Sequence, residues 1–344
     1  MNTEKKIGGL VALGEFIQCF FETNPPYDRE DFRLLAEAIH QSEIENSWFT
    51  YDNQKFALLQ WARQLTLSNI TRWLEAYTPA KTPKKVGLIL AGNIPLVGFH
   101  DVVCVLLSGH IPLIKLSSKD KRMIPLLLAL WQRFSESNFH YEIVEKLEGQ
   151  QAVIATGSNN TAKYLDYYFK KYKNIIRKNR TSVGILSGKE TSEDLQRLGE
   201  DVFRYFGLGC RNVSRLWIPQ DYPLDPIFEN FIGYGEVINH HSYANNYDYN
   251  KAVYLLNQEK FWDNNFVMLK EDPALFSPLS VLHFTRYSDL SQVHDFLDNH
   301  QEEIQCVVAH PSLELKALKF GEAQSPSLDT YADNIDTMAF LQAL

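Results

Sequence analysis

Cys210 stands in the run Phe206-Gly207-Leu208-Gly209-Cys210-Arg211-Asn212. Flanking glycines let a chain turn tightly and offer backbone N–H groups, and an adjacent guanidinium favours the thiolate, the reactive form of the side chain. That pattern suits a cysteine nucleophile forming a covalent intermediate. Read from these residues alone, a structural thiol stays open. The other three cysteines differ in setting. Cys19, Cys104 and Cys306 lie among apolar neighbours, where cysteine serves as a small core residue. No CxxC pair or zinc-type His/Cys spacing occurs, so no metal site is expected and the thiols are expected to be reduced.

Three further groups could serve such a nucleophile. Asn93 follows a short apolar run, where its amide could donate to an oxyanion or simply serve a turn. Lys115, Ser117 and Ser118 close another apolar run and could hold a ribose or its 2′-phosphate; a surface lysine is the plainer reading. Thr156-Gly157-Ser158 has the form of a strand-to-helix turn, where free N–H groups can meet a phosphate. A serine helix cap explains the same residues. His240, His241 and His310 are candidates for acid–base work, with structural or solvated roles as the alternative. No GxGxxG or Walker A pattern is present.

These groups need a scaffold, and the chain supplies an alternating one. Residues 1 to about 80 read as helices, interrupted by the Asn24-Pro25-Pro26 breaker. From Lys85 on, apolar strand-like runs at 86–90, 111–116, 152–156 and 182–186 alternate with helical stretches, including one over 95–107 with proline in its first turn. This βα rhythm predicts an α/β protein with a doubly wound parallel sheet. A second α/β portion follows, with strands at 213–218, 278–284 and 304–309 and a helix over 288–299. The aromatic, Asn-rich stretch 240–249 reads as a loop or a substrate-channel lining. The expected division is 1–208 for a helical segment and cofactor-binding domain, 209–325 for a catalytic cysteine domain, and 326–344 for a tail returning to the first domain or serving an oligomer contact.

Bulk properties narrow the partners. The chain has 344 residues, 45% hydrophobic and 22% charged, which suits an ordinary globular protein of two domains. A formal net charge of -8 argues against a nucleic-acid surface. No apolar run approaches the ~20 residues that span a bilayer. The opening MNTEKKIGGLVALGEF lacks the features of a signal peptide, so a cytoplasmic protein is expected.

Taken in order, the motifs resemble the aldehyde dehydrogenase superfamily. The nearest branch is similar to the acyl-CoA reductases related to the fatty-acyl reductase subunit of bacterial luminescence. The matching run covers Val86 to Leu282. Gly92-Asn93-Ile94-Pro95-Leu96 matches the turn whose asparagine amide forms half of the oxyanion hole. Lys115 matches the cofactor-ribose lysine, in Ile111-Pro112-Leu113-Ile114-Lys115-Leu116-Ser117-Ser118. Ala155-Thr156-Gly157-Ser158 matches the Phe-Thr-Gly-Ser turn facing the cofactor pyrophosphate. Gly209-Cys210 matches the nucleophile, and Phe276-Ser277-Pro278 loosely matches a Phe-Gly-Pro element.

Departures from the pattern carry their own implications. The Glu-Leu-Gly-Gly element, whose glutamate activates water, is replaced by Ile175-Ile176-Arg177-Lys178-Asn179-Arg180. An acyl-cysteine without that base is poorly hydrolysed, so the resemblance implies exchange with a thiol or reduction of the acyl-enzyme thioester. Ser118, with Lys119 beside it, stands near the place of the carboxylate that binds the ribose 2′-hydroxyl. Its loss removes repulsion against a 2′-phosphate and implies NADPH (NADP) over NADH. Ala274 replaces a glutamate that anchors the nicotinamide ribose. The implied activity is NADPH-dependent reduction of an acyl-CoA or acyl-carrier thioester to an aldehyde. The implied oxyanion donors are Asn93 and the Cys210 N–H. Alternatives are an acyl-phosphate reductase of the same fold and a non-redox acyl-transfer or assembly protein. A homo-oligomer, or an acyl-transfer partner enzyme, is a further expectation.

Overall fold

The computed structural model describes residues 3–22 and 29–344; the Asn24-Pro25-Pro26 breaker lies outside the described residues. The chain divides into two compact units, Met1–Asn179 with Ser327–Leu344, and Arg180–Pro326.

The first unit opens with four helices, α1 (Thr3–Glu22), α2 (Glu30–Glu45), α3 (Tyr51–Gln64) and α4 (Leu67–Leu74). Leu10, Leu13 and Ile17 form a fully buried stripe along α1 at helical spacing. Thr50 and Thr66 cap α3 and α4, accepting the Asn53 and Asn69 N–H groups. Alternating elements follow: β1 (Lys85–Ile89), α5 (Phe99–Leu107), β2 (Ile111–Lys115), α6 (Met123–Phe134), β3 (Glu142–Ile143), β4 (Ala152–Thr156), α7 (Asn159–Phe169) and β5 (Lys173–Arg177). All five strands run parallel, in the order β3-β2-β1-β4-β5. The winding reverses between β1 and β4, and such a switch point opens a crevice at the carboxyl ends of the strands.

Local departures from the sequence reading have local causes. The helix read over 95–107 starts only at Phe99, because Leu96 adopts a left-handed φ of 60°. A non-glycine residue in that conformation cannot belong to a right-handed helix. β3 and β5 are strands the sequence did not announce. β5 is Lys173-Asn174-Ile175-Ile176-Arg177, with charges at both ends. Its Arg177 is nonetheless buried, because Asp101 of α5 pairs with it through two hydrogen bonds, one of 2.9 Å.

The second unit runs β6 (Thr181–Ile185), α8 (Ser192–Phe203), β7 (Val213–Pro219), α9 (Asp225–Phe231), α10 (His241–Leu256), β8 (Trp262–Asp263), β9 (Met268–Glu271), β10 (Val281–Tyr287), α11 (Leu290–Asn299) and β11 (Ile304–Ala309). Its sheet order is β11-β6-β7-β10-β9-β8, parallel except for β8. β6 and α8 therefore belong to the second unit, and the division falls at 179–180 rather than 208–209. A buried parallel strand has the same apolar signature in either sheet, so only its partners, β7 and β11, reveal the assignment. Leu195, Leu198, Phe203, Leu216, Phe231 and Phe284 close the core on one face. The 240–249 stretch is helix, not loop: Tyr243, Tyr247, Asn250 and Tyr254 recur on one buried face of α10.

The last segment returns to the first unit and ends in α12 (Thr337–Gln342). A hydrogen-bonded chain fastens it. Trp73 Nε1 donates to the Tyr331 hydroxyl at 2.8 Å, Tyr331 donates to Tyr77 at 2.9 Å, and Tyr77 donates to Asp336 Oδ2 at 2.8 Å. Arg177 Nη2 also reaches Thr337 Oγ1 at 3.1 Å. Among the described residues no helix is long and apolar enough to cross a membrane.

Candidate active site

Cys210 occupies a turn between α8 and β7, at the amino edge of the second sheet. The Asn212 N–H donates to the Gly209 carbonyl at 3.1 Å, closing Gly209-Cys210-Arg211-Asn212 on itself. The Asn212 side chain, 2% exposed, then locks that turn in place. Its Oδ1 accepts the Gly209 N–H at 2.8 Å. Its Nδ2 donates to the carbonyls of Asp201, Val202 and Arg204 at 3.2, 3.3 and 2.7 Å. The chain enters the turn through three consecutive left-handed residues, Tyr205, Phe206 and Gly207, at φ 55°, 58° and 81°. Only the glycine adopts this conformation without strain, and backbone strain of this kind gathers at functional sites. Cys210 itself is half-buried.

Beneath the turn lies a polar layer that the sequence did not reveal. Ser182 Oγ, on β6, donates to the Cys210 carbonyl at 3.1 Å and lies 3.1 Å from Cys306 Sγ on β11. Burial pushes the Cys306 thiol up, with the neighbouring Arg211 guanidinium and Ser182 opposing. Arg211 Nη1 also donates to the Ala323 carbonyl at 3.3 Å, so the cation next to Cys210 in sequence serves the Cys306 side of the turn. Asp201 is fully buried and accepts the Gly321 and Ala323 N–H groups at 2.6 and 3.0 Å. Burial still pushes its carboxyl up to about 7. Asn212 stands two residues after Cys210 in sequence, whereas Ser182, Asp201 and Cys306 are distant from it and no local pattern tied them to the turn.

The three candidate histidines separate cleanly. His310 follows β11 at the carboxyl edge of the sheet, the full length of a strand from the Cys210 turn, and caps the Pro311–Leu313 turn. His241 is exposed and contacts Asn245 one turn along α10. Of the three, only His240 packs near the Cys210 segment, its ring 4.4 Å from that of Phe206. A buried histidine that sequence reasoning passed over, His283 on β10, bonds the Ala274 carbonyl at 3.1 Å, and burial pushes its pKa down. Arg215 donates to the Asp272 and Ala274 carbonyls at 2.8 and 2.7 Å. Together they fix the loop that carries Ala274.

Beside the turn is a cavity of about 210 Å³ of mixed lining, with Phe203, Phe206, Val267 and Leu279 among its apolar residues and Ser214 and Ser277 among its polar ones. Leu208 and Val213, also on its wall, bracket the Gly209–Asn212 turn.

The first unit gathers the remaining candidates at one sheet edge. The register pairs Ile89 with Lys115 and Ile89 with Ala155, so the ends of β1, β2 and β4 are level. Asn93, the Lys115–Ser118 segment and Thr156-Gly157-Ser158 thus share the carboxyl edge, at and beside the switch point. Asn93, Lys115 and Ser118 are exposed. Ser117 is turned inward: its Oγ accepts the Lys119 N–H, and a Cβ on Gly92 would lie 2.4 Å from it. Asp120, nearby, is 4% exposed and accepts the Leu96 N–H at 3.2 Å, holding the Asn93 turn; burial pushes its carboxyl up to about 6. Ser158 caps α7, accepting the Thr161 N–H at 3.3 Å, which leaves the first-turn N–H groups of Asn159 and Asn160 without intrahelical acceptors. A Cβ on Gly157 would meet Thr161 Cγ2 at 2.9 Å. Among the described residues no group of three or more His, Cys, Asp or Glu side chains is placed to hold a metal.

No family model matches the sequence, and no curated protein matches it. Solved structures match it in shape. Aldehyde dehydrogenase 21 from Physcomitrella patens, in complex with the reaction product succinate, superposes with a TM-score of 0.68 at 12% identity, covering 100% of this chain and 84% of its own. Aldehyde dehydrogenase C from Pseudomonas syringae, a mutant in complex with NAD+ and octanal, gives 0.62 at 13% identity over 90% and 73%. An NAD-dependent benzaldehyde dehydrogenase from Corynebacterium glutamicum gives 0.64 at 10% identity over 90% and 76%. Likeness at such low identity establishes architecture, and the architecture of this chain is the aldehyde dehydrogenase fold.

Proposed function

We propose that this protein reduces an acyl thioester, of coenzyme A or an acyl carrier, to the aldehyde through an acyl-Cys210 intermediate. The observation that carries the reading is the clamped turn presenting a half-buried Cys210 in an aldehyde dehydrogenase fold whose β5 segment lacks a carboxylate. The one buried ionic group there, Arg177, is paired with Asp101. With no base on that strand to activate water, an acyl-cysteine would persist long enough for reduction.

The thiolate attacks the thioester carbonyl, a carbon–sulfur bond forms, and the carrier thiol leaves with a proton. The Cys210 N–H and the Asn93 amide are assigned to the oxyanion. A nicotinamide cofactor, when bound, supplies the hydride that takes the acyl group to the aldehyde level, after which the aldehyde departs and the thiol is regenerated. The free N–H groups of Asn159 and Asn160 suit its pyrophosphate. Lys115 and Ser118 suit the ribose side, and the exposed residues from Lys115 to Lys119 include no carboxylate; Asp120 is buried and engaged with Leu96. That balance favours NADPH over NADH.

Intact-mass spectrometry after incubation with acyl-CoAs tests the reading. Wild type should gain one acyl group, discharged by NADPH with release of aldehyde, and Cys210→Ala should gain none. Removing an oxyanion donor slows such chemistry by about 10²–10³-fold, so Asn93→Ala should acylate slowly but measurably. A stable adduct and turnover in Cys210→Ala would overturn the assignment. Acylation by an acyl phosphate but by no thioester would transfer the activity to that donor class.

A further inference from the structure

Between β1 and α5 the chain buries Gly92, Pro95, Leu96 and Gly98 and leaves Asn93 exposed. Leu96 is the pivot of this turn. Its φ of 60° is a strained conformation for leucine, and its carbonyl accepts the Phe99 N–H at 3.0 Å where α5 begins. Its own N–H donates to Asp120 Oδ2 at 3.2 Å. Asp120 is fixed by a tight turn of its own. Its N–H donates to the Ser117 carbonyl at 3.2 Å, and Ser117 Oγ accepts the Lys119 N–H at 3.2 Å. Ser117 presses on Gly92 in turn: a Cβ there would lie 2.6 Å from Ser117 Cβ, and closer still to its Oγ. A carboxyl is a costly means of holding one N–H. Asp120 Oδ1 is buried with no hydrogen-bond partner among the described residues, and a buried charge so poorly compensated is unfavourable. Unpaired buried polar atoms call for an explanation, and local strain gathers at functional sites.

We infer that Asp120 is a positioning residue for the proposed reaction: through the Leu96 N–H, and with Ser117 against Gly92, it sets the Asn93 amide where an oxyanion can use it. The inference rests on the acyl-Cys210 reading and on the oxyanion role that reading gives Asn93. Asp120 is buried, so it acts through the turn and not on the reacting atoms. Only Ile94 and Pro95 separate Asn93 from Leu96, and the fixed φ of proline passes a displacement of Leu96 on to Asn93. The short stretch after β2 thus has two faces. Lys115 and Ser118 are exposed, whereas Ser117 and Asp120 brace the neighbouring turn from within.

Single-turnover acylation by acyl-CoA, read by intact mass, tests this. A group displaced by about 1 Å can forfeit ~10²-fold in rate, so Asp120→Ala should slow acylation by about that factor, with the half-saturating thioester concentration unchanged. Asp120→Asn keeps an oxygen for the Leu96 N–H and should restore most of the rate. In an Asn93→Ala background, Asp120→Ala should change nothing further, because a residue that acts only through Asn93 has no effect once that amide is gone. Should Asp120→Ala fold poorly, Gly92→Ala displaces the turn from its other side, and adding Ser117→Gly should recover the rate. Side-chain amide NMR, with the Asn93 signal identified by its loss in Asn93→Ala, reads the turn without chemistry. That signal should shift in Asp120→Ala and hold in Asp120→Asn. A wild-type rate in Asp120→Ala, or slowing that multiplies with that of Asn93→Ala, overturns the inference and leaves the acyl-cysteine reading intact. No acylation of wild type by any thioester, with the Asn93 signal still moved by Asp120→Ala, upholds the bracing of the turn and overturns the reaction.

Discussion

Replacing Asn212 by alanine should loosen the turn that presents Cys210 without altering the thiol itself. The side chain is 2% exposed, so whatever it bonded stays away from water once it is gone. Its strongest bonds are to the Gly209 N–H at 2.8 Å and the Arg204 carbonyl at 2.7 Å; the Asp201 and Val202 carbonyls share its remaining proton at 3.2 and 3.3 Å. A buried group left unbonded costs about 1–3 kcal/mol, and partial relaxation tempers the sum, so the loss should be about 2–5 kcal/mol. Urea unfolding measures it. The functional effect should be selective. Misplacing a reacting atom by about 1 Å can cost ~10²-fold, so acylation of Cys210 should fall by that order, whereas alkylation by iodoacetamide, which needs no oriented complex, should change far less. Asn212→Asp keeps the Gly209 bond but sets a carboxylate against three carbonyls. It should be destabilised at neutral pH and recover as the pH falls and the carboxylate protonates. A loss under about 1 kcal/mol in Asn212→Ala, with acylation unchanged, would refute the clamp.

Two other outcomes follow from buried charge. Arg177→Met should cost about 3–5 kcal/mol by stranding the Asp101 carboxylate, and adding Asp101→Leu should restore most of it; a double variant no more stable in calorimetry than either single variant would count against this account. Asp201 and Asp120 have carboxyls pushed up to about 7 and about 6 by burial. Between about pH 4 and 7 the folded state therefore keeps protons the unfolded chain has lost, and these two groups make stability fall as pH rises through that window. The Asp201→Asn/Asp120→Asn variant should lose that slope relative to wild type in denaturation at stepped pH, and an identical pH profile would contradict it.

How much of this was legible depended on where the determining contacts lie in the sequence. β1, β2, β4, β6 and β7 are buried parallel strands, and their apolar runs declare them. β5 is concealed because one of its charged ends is neutralised by Asp101, 76 residues upstream. α10 is concealed for a related reason: its tyrosines and asparagines are weak helix formers, and the helix is set by the face that packs into the unit. Of the candidate site, Asn93, Lys115, Thr156-Gly157-Ser158 and Cys210 were named from local turn chemistry, and the first-sheet set shares one edge because a parallel sheet aligns strand ends. The second-sheet sheath around Cys210 is assembled from distant residues. Ser182 lies 28 residues before it, and Asp201 meets partners at Gly321 and Ala323, 120 and 122 residues on. No local pattern marks such partners.

The position of Cys210 raises an electrostatic problem that the same asparagine resolves. At the carboxyl edge of a parallel sheet, helices begin, and their N-termini favour anions. At the amino edge they end. The Cys210 turn follows the end of α8, where unsatisfied carbonyls carry partial negative charge and disfavour an anionic neighbour. Asp201 and Val202 belong to the last turn of α8, and Arg204 directly follows it. Their carbonyls are the three that the Asn212 amide engages. One buried side chain therefore fixes the backbone geometry of the turn and covers the negative end of the preceding helix. Aspartate, which supplies the Gly209 bond but reverses the charge presented to those carbonyls, separates the two contributions.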